Sequence, residues 1–221
     1  WDHGRMRRAA ALARCSTLLT ASSFFSAAAA MPLSFPQHMA SGGHLPRPGP
    51  KERETPGPGQ RSVWEPPFTR PPTTVSAAGR HVILRIGEDG PIIVDTVRAV
   101  QVCEESHPPV WYFPREDVNT NHLRPIAGQT GCEFKGAASY FDVTAGGRDS
   151  ARLVPQGAWS YEHTTGDSKA IERHVAFYLR EPLVATVDGE RARPQEGDFY
   201  GGWITNDVVG PFKGPPGTRF W

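Results

Sequence analysis

Cysteine is scarce in this chain, and its spacing excludes two common ways of stabilising a small domain. The 221 residues include three cysteines, Cys15, Cys103 and Cys132, and no two of them form a CxxC pair. Three separated cysteines cannot build a disulfide framework, and structural zinc sites are usually built from paired CxxC motifs. We therefore predict a domain that its own hydrophobic core stabilises, without a metal site.

The sequence also lacks the short motifs of several large enzyme classes. It contains no P-loop, no GxGxxG, no GxSxG and no HExxH sequence. The 24 basic and 23 acidic residues give a net charge of +1, and the basic residues do not alternate with aromatic ones. These patterns favour neither a nucleic-acid partner nor an anionic membrane surface, and they leave the cofactor unknown.

Acidic residues are absent from a long stretch near the beginning of the chain. None lies between Asp2 and Glu52, and a basic start at 5–8 is followed by a run of Ala, Leu, Ser and Phe. We predict that residues 1–31 are an organelle transit peptide, for a plastid rather than a mitochondrion. A secreted or a cytoplasmic protein is the alternative. Arg14 interrupts the apolar run, which argues against a stable membrane span.

Proline separates the next part of the chain from the ordered domain. Half of the 22 prolines lie at 32–79, where the apolar residues show no period. Proline cannot continue a helix or a central strand, so residues 32–61 are predicted to be a disordered linker. An extended arm is predicted to follow, with Trp64 and Phe68 as its anchoring side chains.

From residue 80 onward the pattern is typical of β-strands. Alternating apolar residues, with turn signals at intervals of roughly ten residues, predict seven or eight short strands. The segments are 80–86, 91–96, 98–105, 108–113, 137–143, 157–162, 174–179 and 183–190. We therefore predict that residues 62–221 form a single, mainly antiparallel β domain with only short helical turns.

One turn and the strand after it contain a cysteine that could be a catalytic nucleophile. In GQTGCEFKGAASYF (128–141), Cys132 is followed by Lys135, a cation that could lower the pKa of the thiol. A thiolate nucleophile also needs a base, and His107 and His122 are candidates. The alternative is a hairpin corner in which Cys132 is a small buried residue and Lys135 is a surface charge.

A second segment brings acid–base groups next to aromatic residues. CEESHPPVWYFPRED (103–117) contains Glu104, His107 and Tyr112, although its His-Pro-Pro sequence also fits a plain rigid turn. Cys103 and His107 would lie about 13 Å apart in an extended strand, so this pair is not expected to hold a metal.

Two glycines precede Trp203 in the sequence YGGW near the C-terminus. Glycines beside a tryptophan predict a groove with an indole wall, which suits a flat ligand. An arm that fills a hydrophobic groove of its own protein fits the same residues equally well.

Six segments, in their order along the chain, resemble the family called domain of unknown function 427. They are PIIVDTVRAVQVCEESHPPVWYFPREDV, CEFKGAASYFDV, AWSY, HVAFY, VDGE and FYGGWITNDVVGPFKGPPGTRFW. The resemblance covers about residues 62–221 and implies a β-tent-like fold of two sheets. Proteins with that fold commonly bind small ligands in an aromatic groove between the sheets. Their zinc site is not implied here, because the paired CxxC motifs are missing.

Three functions fit these residues. The first is an enzyme that acts on a small organic substrate with electrostatic or acid–base assistance. The second is a non-catalytic module that binds a small molecule or a peptide, and the third is a structural subunit that docks a partner. A proton-transfer group beside the aromatics favours the enzyme. The predicted catalytic residues are Lys135, His107, Glu104 and Cys132, and the predicted substrate-binding residues are Tyr112, Tyr140, Trp203 and Trp159.

Overall fold

The structure is a computed structural model, and it describes residues 44–147 and 149–221. The predicted targeting segment and the first part of the predicted linker, up to residue 43, lie outside the described residues. Within the described ranges the chain is mainly β-strand, with antiparallel pairing in its two large sheets and four short 3-10 turns. The mainly β, antiparallel fold predicted from the sequence is confirmed.

The strand bounds show how short most of these elements are. The described residues form strands β1 (Arg61–Ser62), β2 (Thr73–Ser76), β3 (Val82–Ile86), β4 (Ile92–Thr96), β5 (Val100–Cys103), β6 (Val110–Phe113), β7 (Leu123–Cys132), β8 (Gly136–Thr144), β9 (Arg152–Tyr161), β10 (Val175–Phe177), β11 (Leu183–Val187), β12 (Glu190–Arg191), β13 (Arg193–Pro194), β14 (Trp203–Ile204) and β15 (Val208–Val209). The 3-10 turns span Pro50–Glu52, Arg115–Asp117, Thr120–His122 and Gly166–Ile171.

Two sheets organise the domain. The larger sheet has the strand order β2-β5-β6-β10-β9-β8-β7, and the smaller one has the order β12-β11-β3-β4. All of these neighbours are antiparallel, and two short pairs, β1 with β15 and β13 with β14, form separate two-stranded sheets.

The main hydrophobic core lies between the two sheets. The larger sheet contributes Trp111 and Phe113, and the smaller sheet contributes Leu84 and Val187, all of them fully buried. Successive side chains of a strand point to opposite faces. Tyr112, between two core residues of β6, therefore points to the face of the larger sheet that is turned away from the core.

Residues 44–60 lie along the C-terminal part of the chain, although the sequence pattern predicts a linker there. The Leu45 amide donates to the Gly217 carbonyl over 2.9 Å, and the Glu54 amide donates to the Gly210 carbonyl over 3.1 Å. These bonds join distant segments and need no apolar period. For that reason the proline-rich composition gave no sign of them.

Trp64 and Phe68 anchor the arm that follows, with exposed fractions of 5% and 2%. The Trp64 indole N–H donates to the Pro211 carbonyl over 2.9 Å, and the Arg53 guanidinium lies 4.7 Å from the centre of the Trp64 ring. The arm therefore packs against the C-terminal segment as well as against the sheet.

β7 is the one long strand that the sequence pattern does not predict. It forms an edge of the larger sheet and pairs only with β8. It contains Pro125 and Gly128, and its register with β8 shifts between Pro125 and Gln129. An edge strand has no second neighbour, and most of its side chains need not be apolar, so the usual alternation is weak here.

Candidate functional site

Strand register places a row of aromatic side chains on the outer face of the larger sheet. Ala176 of β10 lies opposite Tyr112 of β6 on one side and Trp159 of β9 on the other. Trp159 in turn lies opposite Tyr140 of β8, and Tyr161 lies two residues further along β9. Because alanine has only a methyl side chain, the Tyr112 and Trp159 rings on either side of Ala176 can meet above it, 6.2 Å apart between centroids.

A cavity of about 550 Å³ lies over this row. All five tyrosines of the chain line it, together with one tryptophan, and its other walls carry charged and polar groups. The aromatic residues are Tyr112, Tyr140, Trp159, Tyr161, Tyr178, Phe134, Phe199 and Tyr200, and the charged or hydrogen-bonding residues are Arg70, Glu104, His107, Thr130, Cys132, Glu133, Lys135, Gln195 and Lys213. A volume of this size suits a small organic ligand.

Two hydrogen bonds fix the aromatic wall. The Trp159 indole N–H donates to the Tyr112 hydroxyl over 3.1 Å, and the Tyr140 hydroxyl shares a hydrogen bond of 2.7 Å with Thr130. The rings of Trp159 and Tyr178 lie 4.5 Å apart between centroids. The wall is therefore an ordered surface against which a flat ligand can pack.

Three phenols of this wall, those of Tyr112, Tyr161 and Tyr178, are neutral at ordinary pH. Burial raises the pKa of Tyr112, Tyr161 and Tyr178 above its usual value, because the charged phenolate would lose its hydration. Tyr112 already accepts a hydrogen bond from Trp159, and its own hydroxyl hydrogen has no acceptor among the described residues. That hydrogen is available to a ligand.

Glu104 and Lys135 bring opposite charges together at one side of the cavity. Glu104 follows β5, Lys135 lies in the turn between β7 and β8, and their charged atoms are 4.0 Å apart. The Lys135 side chain is 13% exposed and that of Glu104 is 32% exposed, so both are partly shielded from water. The pair is loose enough for a ligand to contact either charge.

His107 is a neutral hydrogen-bonding group in this cavity. It is 6% exposed, and burial, together with the nearby Lys213 and Lys135 cations, lowers its pKa to about 3. Its Nδ1 lies 3.0 Å from the side-chain amide nitrogen of Gln195. A residue that exchanges protons near neutral pH needs a pKa close to 7. The predicted role of His107 as a proton carrier therefore does not fit its surroundings.

Lys213 is a cation that approaches the cavity from the C-terminal segment. It is 9% exposed, its Nζ donates to the Trp221 carbonyl over 3.1 Å, and it lies 5.4 Å from the centre of the Tyr200 ring. Burial lowers its pKa, and Glu104 opposes the shift. Among the described residues no Asp or Glu carboxylate lies within ion-pair distance of Lys213, so its contacts there are the Trp221 oxygen and the Tyr200 ring.

Two glycines let the C-terminal segment close the cavity. A Cβ atom on Gly201 would lie 2.3 Å from the Trp159 ring, and one on Gly202 would lie 2.6 Å from the Pro108 carbonyl oxygen. Both contacts are far shorter than side chains tolerate. The YGGW sequence is thus explained by the close approach of its backbone to the Trp159 indole and to the loop after β5.

A family model described as a domain of unknown function (DUF427) matches residues 74–192, more than half of the chain. The chain belongs to the DUF427 family. A comparison with curated proteins gave no match. The match includes the strands of the aromatic wall and the residues Glu104, His107 and Lys135. It ends before Gln195 and Lys213, so part of the cavity of this DUF427 protein lies beyond the matched segment.

The structure brings most of the predicted site residues to this one cavity. The lining includes Lys135, His107, Glu104, Cys132, Tyr112, Tyr140 and Trp159. The resemblance to DUF427 proteins implied a groove between the sheets, but the cavity lies on the opposite face of the larger sheet. The reason is that alternation sends Trp111 and Phe113 into the core and Tyr112 outward.

Trp203 is the predicted site residue that lies elsewhere. It is fully buried in the core between the sheets, 5.5 Å from Phe113 between ring centroids, and its indole N–H donates to the Phe177 carbonyl over 3.0 Å. Trp203 therefore fits the alternative interpretation of YGGW, in which an arm of the chain fills a hydrophobic groove of its own protein. The indole wall of the cavity is Trp159.

Cys132 lines the cavity without a partner that would activate it. It has no hydrogen-bond or ion-pair partner among the described residues, and neutral His107 is a weak base at physiological pH. Cys103 is buried outside the cavity, and burial raises its pKa to about 11.

In the described ranges, no group of three or more His, Cys, Asp and Glu residues is placed to hold a metal. No helix of those ranges is long and apolar enough to cross a membrane.

Several lining residues were missed at the level of the sequence. Tyr161 could have been found, because it lies two residues after Trp159 on a predicted strand and must share its face. Tyr178 follows β10 directly and offers the same kind of signal. Gln195, Tyr200 and Lys213 lie on irregular segments with no period, and only the folded structure shows that they reach the cavity.

Proposed function

We propose that this protein binds a small organic anion with a flat or aromatic part. The observation that carries the proposal is the convergence of all five tyrosines on one cavity that also holds Lys213. Phenols and an indole suit the flat part of a ligand, and the Lys213 ammonium group, which no Asp or Glu of the described residues neutralises, suits its negative charge.

The charges of the lining support an anion over a cation. The cavity is lined by three cations, Arg70, Lys135 and Lys213, and by two carboxylates, Glu104 and Glu133. Arg70 and Glu133 lie 3.7 Å apart and are both more than half exposed, so they balance each other at the rim. Lys135 is near Glu104, and Lys213 remains for the ligand.

The proposal is tested with 4-hydroxybenzoate as probe, a ligand with a carboxylate, a ring and a hydroxyl group. For ten non-hydrogen atoms we expect a dissociation constant on the order of 1 mM, which tryptophan fluorescence and ligand-observed NMR can measure. The neutral amide of the same acid should bind at least about tenfold more weakly, since it carries no charge for Lys213. Equal binding of acid and amide, or no binding of the acid, would overturn the proposal.

Substitution of Lys213 by methionine is expected to weaken 4-hydroxybenzoate binding by at least about tenfold, because the ligand carboxylate loses its charged partner. The matched control is Lys169→Met. Lys169 is 76% exposed, is paired with Glu172 and is not part of the cavity lining, so its removal should leave the dissociation constant unchanged. A similar loss in both variants would show that the effect is a general one of net charge.

Proton transfer is a second candidate function, which the Glu104–Lys135 pair favours. We infer that a bound 2-oxo acid such as phenylpyruvate could lose a C–H proton to the Glu104 carboxylate while Lys135 stabilises the resulting enolate. The same carboxyl group would then return a proton or, in D2O, a deuteron. This step needs no cofactor or co-reactant.

The test is deuterium exchange into the methylene group of phenylpyruvate, followed by NMR in D2O. Glu104→Gln is expected to reduce the protein-catalysed exchange by a factor of about 100 or more, as for the loss of a general base. Glu133→Gln is the matched control, since Glu133 lines the same cavity but is 69% exposed. Exchange no faster than in buffer, or equal loss in both variants, would remove this candidate.

A further inference from the structure

Gln195 has its side-chain amide orientation fixed by two backbone groups. Its nitrogen lies 2.7 Å from the Lys213 carbonyl, which can only accept a hydrogen bond, and its oxygen lies 3.1 Å from the Gly202 N–H, which can only donate one. The opposite orientation would place two acceptors together and two donors together. The amide nitrogen therefore carries two hydrogens toward known partners.

The second of these hydrogens decides the protonation of His107. It points to His107 Nδ1, 3.0 Å from the Gln195 nitrogen, so Nδ1 must be the acceptor and carry no hydrogen. A neutral imidazole then has its hydrogen on Nε2. The buried site and the cations of Lys213 and Lys135 oppose a second proton on the ring.

His107 Nε2 is the atom left for a ligand. It has no hydrogen-bond partner among the described residues, and His107 lines the cavity. The Tyr200 ring packs edge-on against the imidazole, 4.7 Å away between centroids, and so limits rotation of the ring. A residue that lines the cavity thus carries an oriented N–H group that no acceptor in the described part of the chain satisfies.

We propose that His107 Nε2–H donates a hydrogen bond to an oxygen of the ligand, and that Gln195 is the positioning residue that holds His107 in this tautomer. The inference rests on the proposed function and sharpens it. The ligand carries an oxygen acceptor, a carbonyl or a carboxylate oxygen, where it meets His107. A ligand with an ammonium or N–H group at that point would place two donors face to face and is rejected.

The binding test compares two substitutions of His107 in the full chain. A glutamine side-chain nitrogen reaches about as far as Nε2, whereas an asparagine amide reaches only about as far as Nδ1. His107→Gln should therefore keep 4-hydroxybenzoate binding within about threefold of wild type, and His107→Asn should weaken it roughly tenfold. A purely structural role predicts the opposite order, because asparagine can keep the bond to Gln195. Thermal unfolding of both variants shows that each one is folded.

The tautomer itself is tested without a ligand by 15N NMR of the histidine side chains. The wild-type His107 spectrum should show a hydrogen on Nε2 and none on Nδ1 at pH 7. Gln195→Glu replaces the amide donor by an acceptor and should move the hydrogen to Nδ1 or protonate the ring. A wild-type ring with its hydrogen on Nδ1 would overturn the inference.

The two measurements separate the two proposals. If the wild-type protein does not bind 4-hydroxybenzoate, the proposed function fails, and the NMR spectrum still decides the tautomer. If it binds and Lys213→Met weakens binding, but the glutamine and asparagine variants bind alike, the role of His107 is overturned and the proposed function stands.

Discussion

Replacing Trp203 with alanine is expected to lower the free energy of unfolding by about 4 kcal/mol, while 4-hydroxybenzoate binding in the remaining folded protein stays within about threefold of wild type. The indole is fully buried beside Phe113, and its N–H satisfies the Phe177 carbonyl. Its removal would leave a cavity in the core and an unpaired carbonyl. Urea unfolding measures the first effect, and fluorescence titration measures the second.

The matched variant is Trp159→Ala, which removes the indole of the cavity wall instead. We expect a smaller loss of stability, about 2 kcal/mol, because the ring already borders open space, and a loss of probe affinity of more than about tenfold. The reverse outcome, a stable Trp203→Ala variant that no longer binds the probe, would restore the assignment of Trp203 to the site that the sequence pattern predicted.

Acidification from pH 7 to pH 5 is expected to cost about 2 kcal/mol of stability through His107 alone. The pKa of its ring is lowered from 6.5 to about 3 by burial and by the neighbouring lysines. The unfolded chain therefore binds a proton that the folded protein does not bind. This contribution to stability is complete above pH 6.5 and is lost as the pH falls toward 3.

His107→Gln is the control for this effect, since glutamine does not titrate. Urea unfolding at both pH values should show a loss that is larger in wild type than in the variant by about 2 kcal/mol. Between pH 7 and pH 5 the carboxyls with a lowered pKa do not change their contribution to stability. Glu172, with a pKa of about 2, loses its contribution only below pH 4.5. Equal losses in both proteins would mean that His107 is not held neutral by the fold.

The sequence predicted the fold where side chains alternate. The segments around 82–86 and 183–187 became neighbouring strands because their apolar residues had to share one face. β7 could not be predicted in this way, since an edge strand with Pro125 and Gly128 needs little apolar surface. The contact of residues 44–60 with the C-terminal segment also escaped prediction, because backbone hydrogen bonds between irregular segments leave no pattern in the sequence.

For the candidate site, too, the residues on alternating strands could be predicted and those that depend on distant or irregular segments could not. Tyr112, Tyr140 and Trp159 were predictable, since they lie on strands where alternation separates them from core residues. Trp203 could not be placed correctly, because two glycines before a tryptophan are compatible both with a groove that binds a ligand and with a groove that the chain itself fills. The tautomer of His107 depends on Gln195, 88 residues away in the chain, and no local pattern links the two.

The alternation of core and cavity residues on β6 and at the end of β9 has a consequence for engineering the protein. Tyr112 borders the cavity between two core residues, Trp111 and Phe113, and Trp159 borders it next to the core residue Ala158. A mutagenesis library that varies only every second position of these strands would change ligand preference and leave the core sequence intact. The same rule makes insertion of a single residue in β6 far more damaging than any substitution there, because it would exchange the two faces.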